Sequence, residues 1–289
     1  MNKVKKAVIP VAGYGTRFLP YTKAVPKAML PILNKPAIQI ILDEVVKSGI
    51  EEVLFVVGYK NNVIKDHFSP SEELDEVLLE KGKTSFYNAV KEPETMAKVY
   101  FASQTELNGT AKAIEVAKDF VSNEPFAVLF GDDVMFNSDK PVTKQLIDVY
   151  NATGKTVIGC KHVSREDVTK YASVEYSCEK GGIYEVTKIT EKPKLEDVKS
   201  TLSPLGRYVV TPKVFEIIEN LEPSVNGEYQ FTDVLDVISR NNELVAIEFE
   251  GTRYDMGSRL GYLKANIEYG LRDSELKEEL TNYIKSLNL

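Results

Sequence analysis

Five short runs constrain this chain more than anything else in it. They are AVIPVAG (7–13), EVLFVVG (52–58), KVYFAS (98–103), PFAVLFGDD (125–133) and TVIGC (156–160). Several are apolar on both faces, the pattern of central strands in a helix-covered parallel sheet rather than of half-solvated ones. Between them lie amphipathic segments: PAIQIILDEVVKSG (36–49), closed by Gly49, then GTAKAIEVAKDF (109–120) and VTKQLIDVYNATG (142–154). Such alternation predicts βαβ units with right-handed crossovers, and so an α/β sandwich.

Beyond residue 160 the strand-like runs ASVEYS, GGIYEVTKITEKP and LGRYVVT alternate polar and apolar positions more strictly. Helical patterns return at PKVFEIIENL and QFTDVLDVISRN, and a last strand, ELVAIEFEG, leads into SRLGYLKANIEYG. The charged tail DSELKEELTNYIKSL reads as a terminal amphipathic helix packed on its own domain. With no repeat and no low-complexity linker, residues 1–289 are expected to form one domain whose halves share a sheet.

The net charge of −7 argues against general nucleic-acid binding, which needs a basic face rather than one basic corner. Cys160 and Cys178 match no metal spacing, and reduced thiols in a cytoplasm are the expected state. No run approaches the roughly twenty apolar residues of a membrane span, and the apolar run after the basic start is too short for a secretory leader.

The basic corner is the N-terminus. Lys3, Lys5, Lys6, Arg17, Lys23, Lys27 and Lys35 all precede the first acid, Asp43. Three of these cations surround the turn VAGYGTRF. A dinucleotide fingerprint needs a third glycine where Phe18 stands, and an acid at the end of the second strand; both are missing. A Walker loop needs Gly-Lys-Ser/Thr after four spacers, whereas Gly15-Thr16-Arg17 comes too early. What remains is a glycine turn whose amides approach a ligand, with a bidentate guanidinium beside it. Pro20, Pro26 and Pro31 break the following loop, so Lys23 and Lys27 cannot ride one helix. Three cations on such a loop suit a polyphosphate.

Elsewhere the residues alone leave alternatives open. Asp132 and Asp133 end an apolar strand, where they suit Mg²⁺ or an Asx turn equally. Asp255 precedes Ser258, a competent helix N-cap. Glu191 and Lys192 are a sugar-phosphate pair or a surface ion pair. Glu228 and Thr232 bind a ligand or cap a helix. Gln104 offers a donor and an acceptor together, as base recognition requires.

The stretch from Gly13 to Ile32, GYGTRFLPYTKAVPKAMLPI, resembles the signature of the sugar nucleotidyltransferase family, and the likeness extends from Lys5 to about Tyr269. That resemblance implies a Rossmann-like three-layer α/β/α sandwich with a mixed, mostly parallel sheet. It implies a nucleotide-binding half over 1–160, a sugar-phosphate half over 161–270 and a C-terminal helix over 271–289. It further implies UTP and glucose 1-phosphate as substrates, giving UDP-glucose and pyrophosphate by Mg²⁺-dependent in-line displacement. Thymidylyl transfer, another sugar 1-phosphate, or a non-catalytic nucleotide-sugar-binding regulator are the alternatives.

By the same resemblance Ala12, Gly13, Gly15, Thr16, Gln104 and Gly109 hold the nucleotide, with Arg17 and Lys27 on its phosphates. Ala172, Glu191, Glu228 and Thr232 line the sugar pocket, and Lys192 grips the sugar phosphate. Asp132 and Asp255 ligate the metal, and a homo-oligomer, dimer or tetramer, is expected. The chain departs from the family pattern at Ala28, Lys112, Ala172 and Thr201, positions expected near sugar or base.

Overall fold

The computed structural model describes residues 3–58, 62–137, 139–224 and 227–287. In chain order its strands are β1 (Lys6–Pro10), β2 (Pro31–Ile32), β3 (Lys35–Pro36), β4 (Glu52–Val57), β5 (Lys98–Ser103), β6 (Phe126–Leu129), β7 (Asp133–Phe136), β8 (Thr156–His162), β9 (Ala172–Lys180), β10 (Ile183–Glu191), β11 (Leu202–Val210), β12 (Leu244–Glu248) and β13 (Thr252–Asp255). Its helices are α1 (Ala37–Lys47), α2 (Asn62–His67), α3 (Glu72–Glu80), α4 (Thr84–Thr95), α5 (Thr110–Glu115), α6 (Lys118–Val121), α7 (Val142–Thr153), α8 (Arg165–Val168), α9 (Lys213–Glu219), α10 (Phe231–Arg240), α11 (Arg259–Arg272) and α12 (Lys277–Ser286).

Nine strands form one sheet in the order β5-β4-β1-β6-β11-β8-β12-β10-β9. Only β10 and β11 run against the other seven, so the sheet is mixed and mostly parallel. The period of two along each strand splits the interior into two cores. Ala7, Ile9, Val53, Phe55, Val57, Ala127 and Leu129 pack on one face with residues of α1, α7 and α11. Val8, Leu54, Val56, Phe126 and Val128 pack on the other with α5, α9 and α10. Both faces are therefore covered, which is why the sequence runs are apolar throughout. Both cores contain residues from before and after residue 160.

Strand β1 lies between β4 and β6 and is parallel to both. The chain runs outward from β1 through β4 to β5, then returns to the other side of β1. That reversal opens a crevice at the carboxyl ends of these strands, where ligands bind in open α/β sheets. The loop after β1, Gly58 after β4, Gln104 after β5 and Asp132 after β6 all emerge there.

Three departures from the sequence reading are physical. PFAVLFGDD is not one strand: the chain turns at residues 130–132, and β7 leaves the main sheet to pair with β13. The helical run 109–120 is broken between α5 and α6. Helices α3 and α4 were unread, because neither buries a sustained apolar face: α3 has no buried residue and α4 buries only Pro93. The tail, whose last two residues lie outside the described ones, is α12, and Leu280 Cδ2 would lie 2.6 Å from a Cβ added at Gly270 of α11.

Candidate active site

Two adjoining cavities occupy the crevice. One, of about 540 Å³, is lined by Ala12, Gly13, Lys27, Gln104, Gly109 and Glu228 among others. The second, of about 800 Å³, is lined by Arg17, Tyr171, Ala172, Glu191, Lys192, Thr232, Arg253 and Asp255 among others. Thr110, Phe130, Asp132 and Gln230 line both, forming a wall between them.

The loop after β1 is three successive 3₁₀ turns (16–18, 21–23 and 27–29), the form its prolines allow. Gly15 has φ +63°, and a Cβ there would meet Lys27 Cβ and Thr22 Cγ2, each at 3.0 Å. Only glycine permits so close a crossing, which Thr22 fastens by donating to the Gly15 carbonyl at 2.8 Å. The crossing places Lys27 against Asp132, with Nζ 2.5 Å from Oδ2. Thr16 lines an adjoining pocket of about 360 Å³, which shares Ala12 and Gly13 with the 540 Å³ cavity.

The acid-free start also proves less bare than its sequence. Lys5 pairs with Glu51, Lys6 with Glu124 at 2.7 Å and Lys35 with Glu92 at 2.6 Å, all through long-range contacts. Among the described residues Arg17 and Lys23 have no carboxylate partner, and Arg17 Nη1 donates to the Gly257 carbonyl at 3.2 Å.

Asp132 and Asp133 both line the larger cavity but have different partners. The Asp132 side chain is 34% exposed and faces both cavities. Burial opposes its charge, but Lys27 and then Arg253 outweigh burial and hold its carboxyl below the usual carboxylate range. Asp133 is buried and accepts from Arg253 Nε at 2.6 Å, so it is committed to the protein. Asp255 stands opposite Asp133 on β13. Its Oδ1 accepts from the Gly257 amide at 2.8 Å, and Met256 N donates to the Asp132 carbonyl at 2.7 Å. An atom placed at a Gly257 Cβ would lie 2.9 Å from Asp255 Oδ1 and 3.2 Å from both Asp132 Oδ2 and Arg17 Nη1. Those three groups thus converge on one point. No group of three or more His, Cys, Asp or Glu side chains with metal-binding geometry occurs among the described residues.

In the larger cavity Lys192 sits at φ +39°, held by its amide donating to the Tyr171 carbonyl at 2.7 Å. Its ammonium is half-exposed, 3.4 Å from Glu191 Oε1. Glu191 accepts from Thr232 Oγ1 at 2.9 Å, and burial pushes its carboxyl above the usual range against the pull of Thr232 and Lys192. Glu228, expected in the sugar pocket, lines the 540 Å³ cavity and accepts from Gln230 Nε2 at 2.6 Å. Residues 228 and 232 flank the turn into α10, which puts them on opposite sides of the wall.

Gln104 is buried beside Gly109 and donates to its carbonyl at 3.3 Å. Gly109 has φ +124°, and a Cβ there would sit 2.3 Å from the Tyr229 carbonyl, so this approach too demands glycine. Of the four departures, Ala28 lines the 540 Å³ cavity and Ala172 the larger one. Lys112 and Thr201 line neither. Lys112 pairs with Glu115 and sits 5.0 Å over the Tyr229 ring, and Thr201 bonds His162 at 2.8 Å.

Sequence reasoning missed Tyr171, Arg207 and Arg253. Arg207 is fully buried, with Nη2 reaching Glu44 Oε2 at 2.8 Å and the Asp133 carbonyl at 2.7 Å. For Arg253 a signal existed: residues 253 and 255 of one strand share a face, so an arginine there points where Asp255 points.

The family described as nucleotidyl transferase matches residues 6–270. The chain belongs to the nucleotidyl transferase family. It is 45% identical, over all of both chains, to a UTP–glucose-1-phosphate uridylyltransferase of Staphylococcus epidermidis. A UDP-glucose pyrophosphorylase solved with UDP-glucose shares its fold at TM-score 0.85 and 34% identity, covering 93% of this chain and 100% of that one. A UTP-bound enzyme of the same kind from Acinetobacter baumannii gives TM-score 0.88 and 32% identity over 98% and 99% of the chains.

Proposed function

We propose that this nucleotidyl transferase moves a uridylyl group from UTP to glucose 1-phosphate, forming UDP-glucose and pyrophosphate. The observation that carries the reading is Asp132 on the wall between two cavities, with Lys27 in contact and Arg17 and Asp255 beside it. The full-length likeness to proteins named for this reaction supports the same substrates.

In this reading Gln104 and Gly109 seat the base, while the Ala12–Gly13 backbone, Arg17 and Lys27 hold the triphosphate. Glu191 and Thr232 bind sugar hydroxyls, and Lys192 binds the sugar phosphate. A phosphate oxygen of glucose 1-phosphate attacks the α-phosphorus of UTP. The new O–P bond forms as the bond from that phosphorus to the bridging oxygen breaks, and the electron pair leaves with pyrophosphate. The attacking phosphate is a dianion, so no general base is required. Lys192 orients it, and Arg17 and Lys27 offset charge developing on the phosphates.

Asp132 and Asp255 are the residues that would hold Mg²⁺, an ion commonly held by one or two carboxylates plus substrate phosphates. Two convergent carboxylates, with Asp133 taken up by Arg253, fit that donor set. When bound, the ion neutralises phosphate charge and fixes phosphate geometry. The free thiols, one of them exposed, suit a reducing cytoplasm, where we place the protein as a homo-oligomer, dimer or tetramer.

Pyrophosphate release over a panel of nucleoside triphosphates and sugar 1-phosphates tests the assignment. UTP with glucose 1-phosphate is expected to give the highest kcat/KM. A higher value for dTTP or another sugar would overturn the substrate pair, and UDP-glucose binding without any turnover would make the protein a non-catalytic binder.

A further inference from the structure

Behind the carboxylates runs a chain of buried charge that the reaction above does not use. Arg253 is its hub. Its Nε donates to Asp133 Oδ1 at 2.6 Å, its Nη1 donates to the Tyr171 hydroxyl at 2.9 Å, and its guanidinium lies 4.7 Å over the Tyr171 ring. A phenol that accepts from an arginine has one proton left to give. The acceptor it faces is Asp255 Oδ2, at 3.4 Å. Asp255 Oδ1 already accepts from the Gly257 amide. Both oxygens of that carboxylate therefore face a donor, one at 2.8 Å and the other at a longer 3.4 Å, before any ligand arrives. Asp133 is anchored in turn, since Arg207 takes its backbone carbonyl and grips Glu44.

We infer that Tyr171 and Arg253 are positioning residues that set the Asp255 carboxylate for its metal contact. The inference rests on the proposed role of Asp255 as a metal ligand. An ion pair that served only to staple the fold would be complete at Arg253–Asp133. This one continues to a hydroxyl lining the sugar-side cavity, and ends on a carboxylate that faces the same space. Donating a hydrogen bond to one ligand oxygen leaves the remaining lone pairs aimed at the cavity. Outer partners of this kind typically change metal affinity 10- to 100-fold when removed.

The test is Mn²⁺ titration of the UTP-bound enzyme, followed by the electron paramagnetic resonance of free Mn²⁺, on Tyr171→Phe, Arg253→Lys and Asp255→Asn. Phenylalanine keeps the ring under the guanidinium and the backbone bond to Lys192, and removes only the hydroxyl. Tyr171→Phe is expected to weaken Mn²⁺ binding about 10-fold. It should lower kcat at limiting metal, while KM for glucose 1-phosphate and the thermal midpoint stay at wild-type values. Arg253→Lys, which loses the fork, should weaken Mn²⁺ at least as much; if it fails to fold, Tyr171→Phe decides alone. Wild-type Mn²⁺ affinity in Tyr171→Phe beside a weakened Asp255→Asn overturns the positioning role. A raised KM for glucose 1-phosphate with unchanged Mn²⁺ affinity also overturns it, because the phenol would then act on substrate directly. Unchanged affinity in Asp255→Asn refutes instead the assignment of Asp255 to the metal.

Discussion

The loop after β1 and the strand pair β7–β13 face each other across the crevice, and they are held by opposite means. The loop is mostly exposed, with Tyr14 at 72% and Leu19 at 58%, and it enters the core only at its end, through Ala28 and Leu30. Backbone turns and the Thr22–Gly15 bond fix its path, and among the described residues Arg17 and Lys23 have no carboxylate partner. The strand pair is the reverse. Arg207 is fully buried, Asp133 and Glu44 nearly so, and each charge has its partner within 3.1 Å. Removing a charge from the first region should alter binding and leave the fold alone. In the second, it should alter the fold.

The sharpest way to probe the boundary is Asp132→Ala, since Asp132 belongs to both regions through Lys27 and Met256. Turnover measured by pyrophosphate release should fall about 10³-fold at saturating substrates, with little change in thermal midpoint. Full activity at limiting Mg²⁺ would remove Asp132 from the metal site. Glu44→Ala comes next. It strands the Arg207 guanidinium in the core, and chemical denaturation should show a loss of about 3–5 kcal/mol. A loss below ~1 kcal/mol would end the contrast drawn above.

Smaller effects separate the two substrates. Arg17→Ala should raise KM for UTP and Lys192→Ala should raise KM for glucose 1-phosphate, each about 10–100-fold, with stability held within about 0.5 kcal/mol. A cross-effect of equal size on the other substrate would contradict the division of the crevice. The smallest effect is on pH. Burial raises the Glu191 carboxyl in the folded protein, so on acidification it protonates before an ordinary glutamate and stops accepting sugar hydroxyl bonds. KM for glucose 1-phosphate should therefore rise at a pH above the usual value of roughly 4.3, and Glu191→Gln should abolish that limb. The same shift favours the folded state at low pH. Its contribution is full below the unfolded value and is lost as pH rises through the higher folded value, so Glu191→Gln should flatten that slope of stability against pH.

What the sequence revealed follows the reach of its signals. Strands apolar on both faces and helices with a clear stripe were legible because burial imposes their period locally. The cation loop was legible too, since glycines, prolines and Arg17 lie within one short segment. The bracing was not. Arg207 and Glu44 stand 163 residues apart, Arg253 and Asp133 120 apart, and a buried arginine has no local pattern to announce its carboxylate. Distance also misled in the other direction. Lys5, Lys6 and Lys35 look unpaired because their acids come from later in the chain.

The wall made by Thr110, Phe130, Asp132 and Gln230 has a consequence for how such a protein can change. Each of these residues faces both cavities at once. Phe231 N donates to Thr110 Oγ1 at 2.9 Å, so even α10 starts from a residue that lines both. With the substrates seated as proposed, altered nucleotide choice and altered sugar choice would not be separable traits at these four positions. A lineage or an engineer seeking a new nucleotide donor with the old sugar has to work at the outer linings, Ala28 on one side and Ala172 on the other.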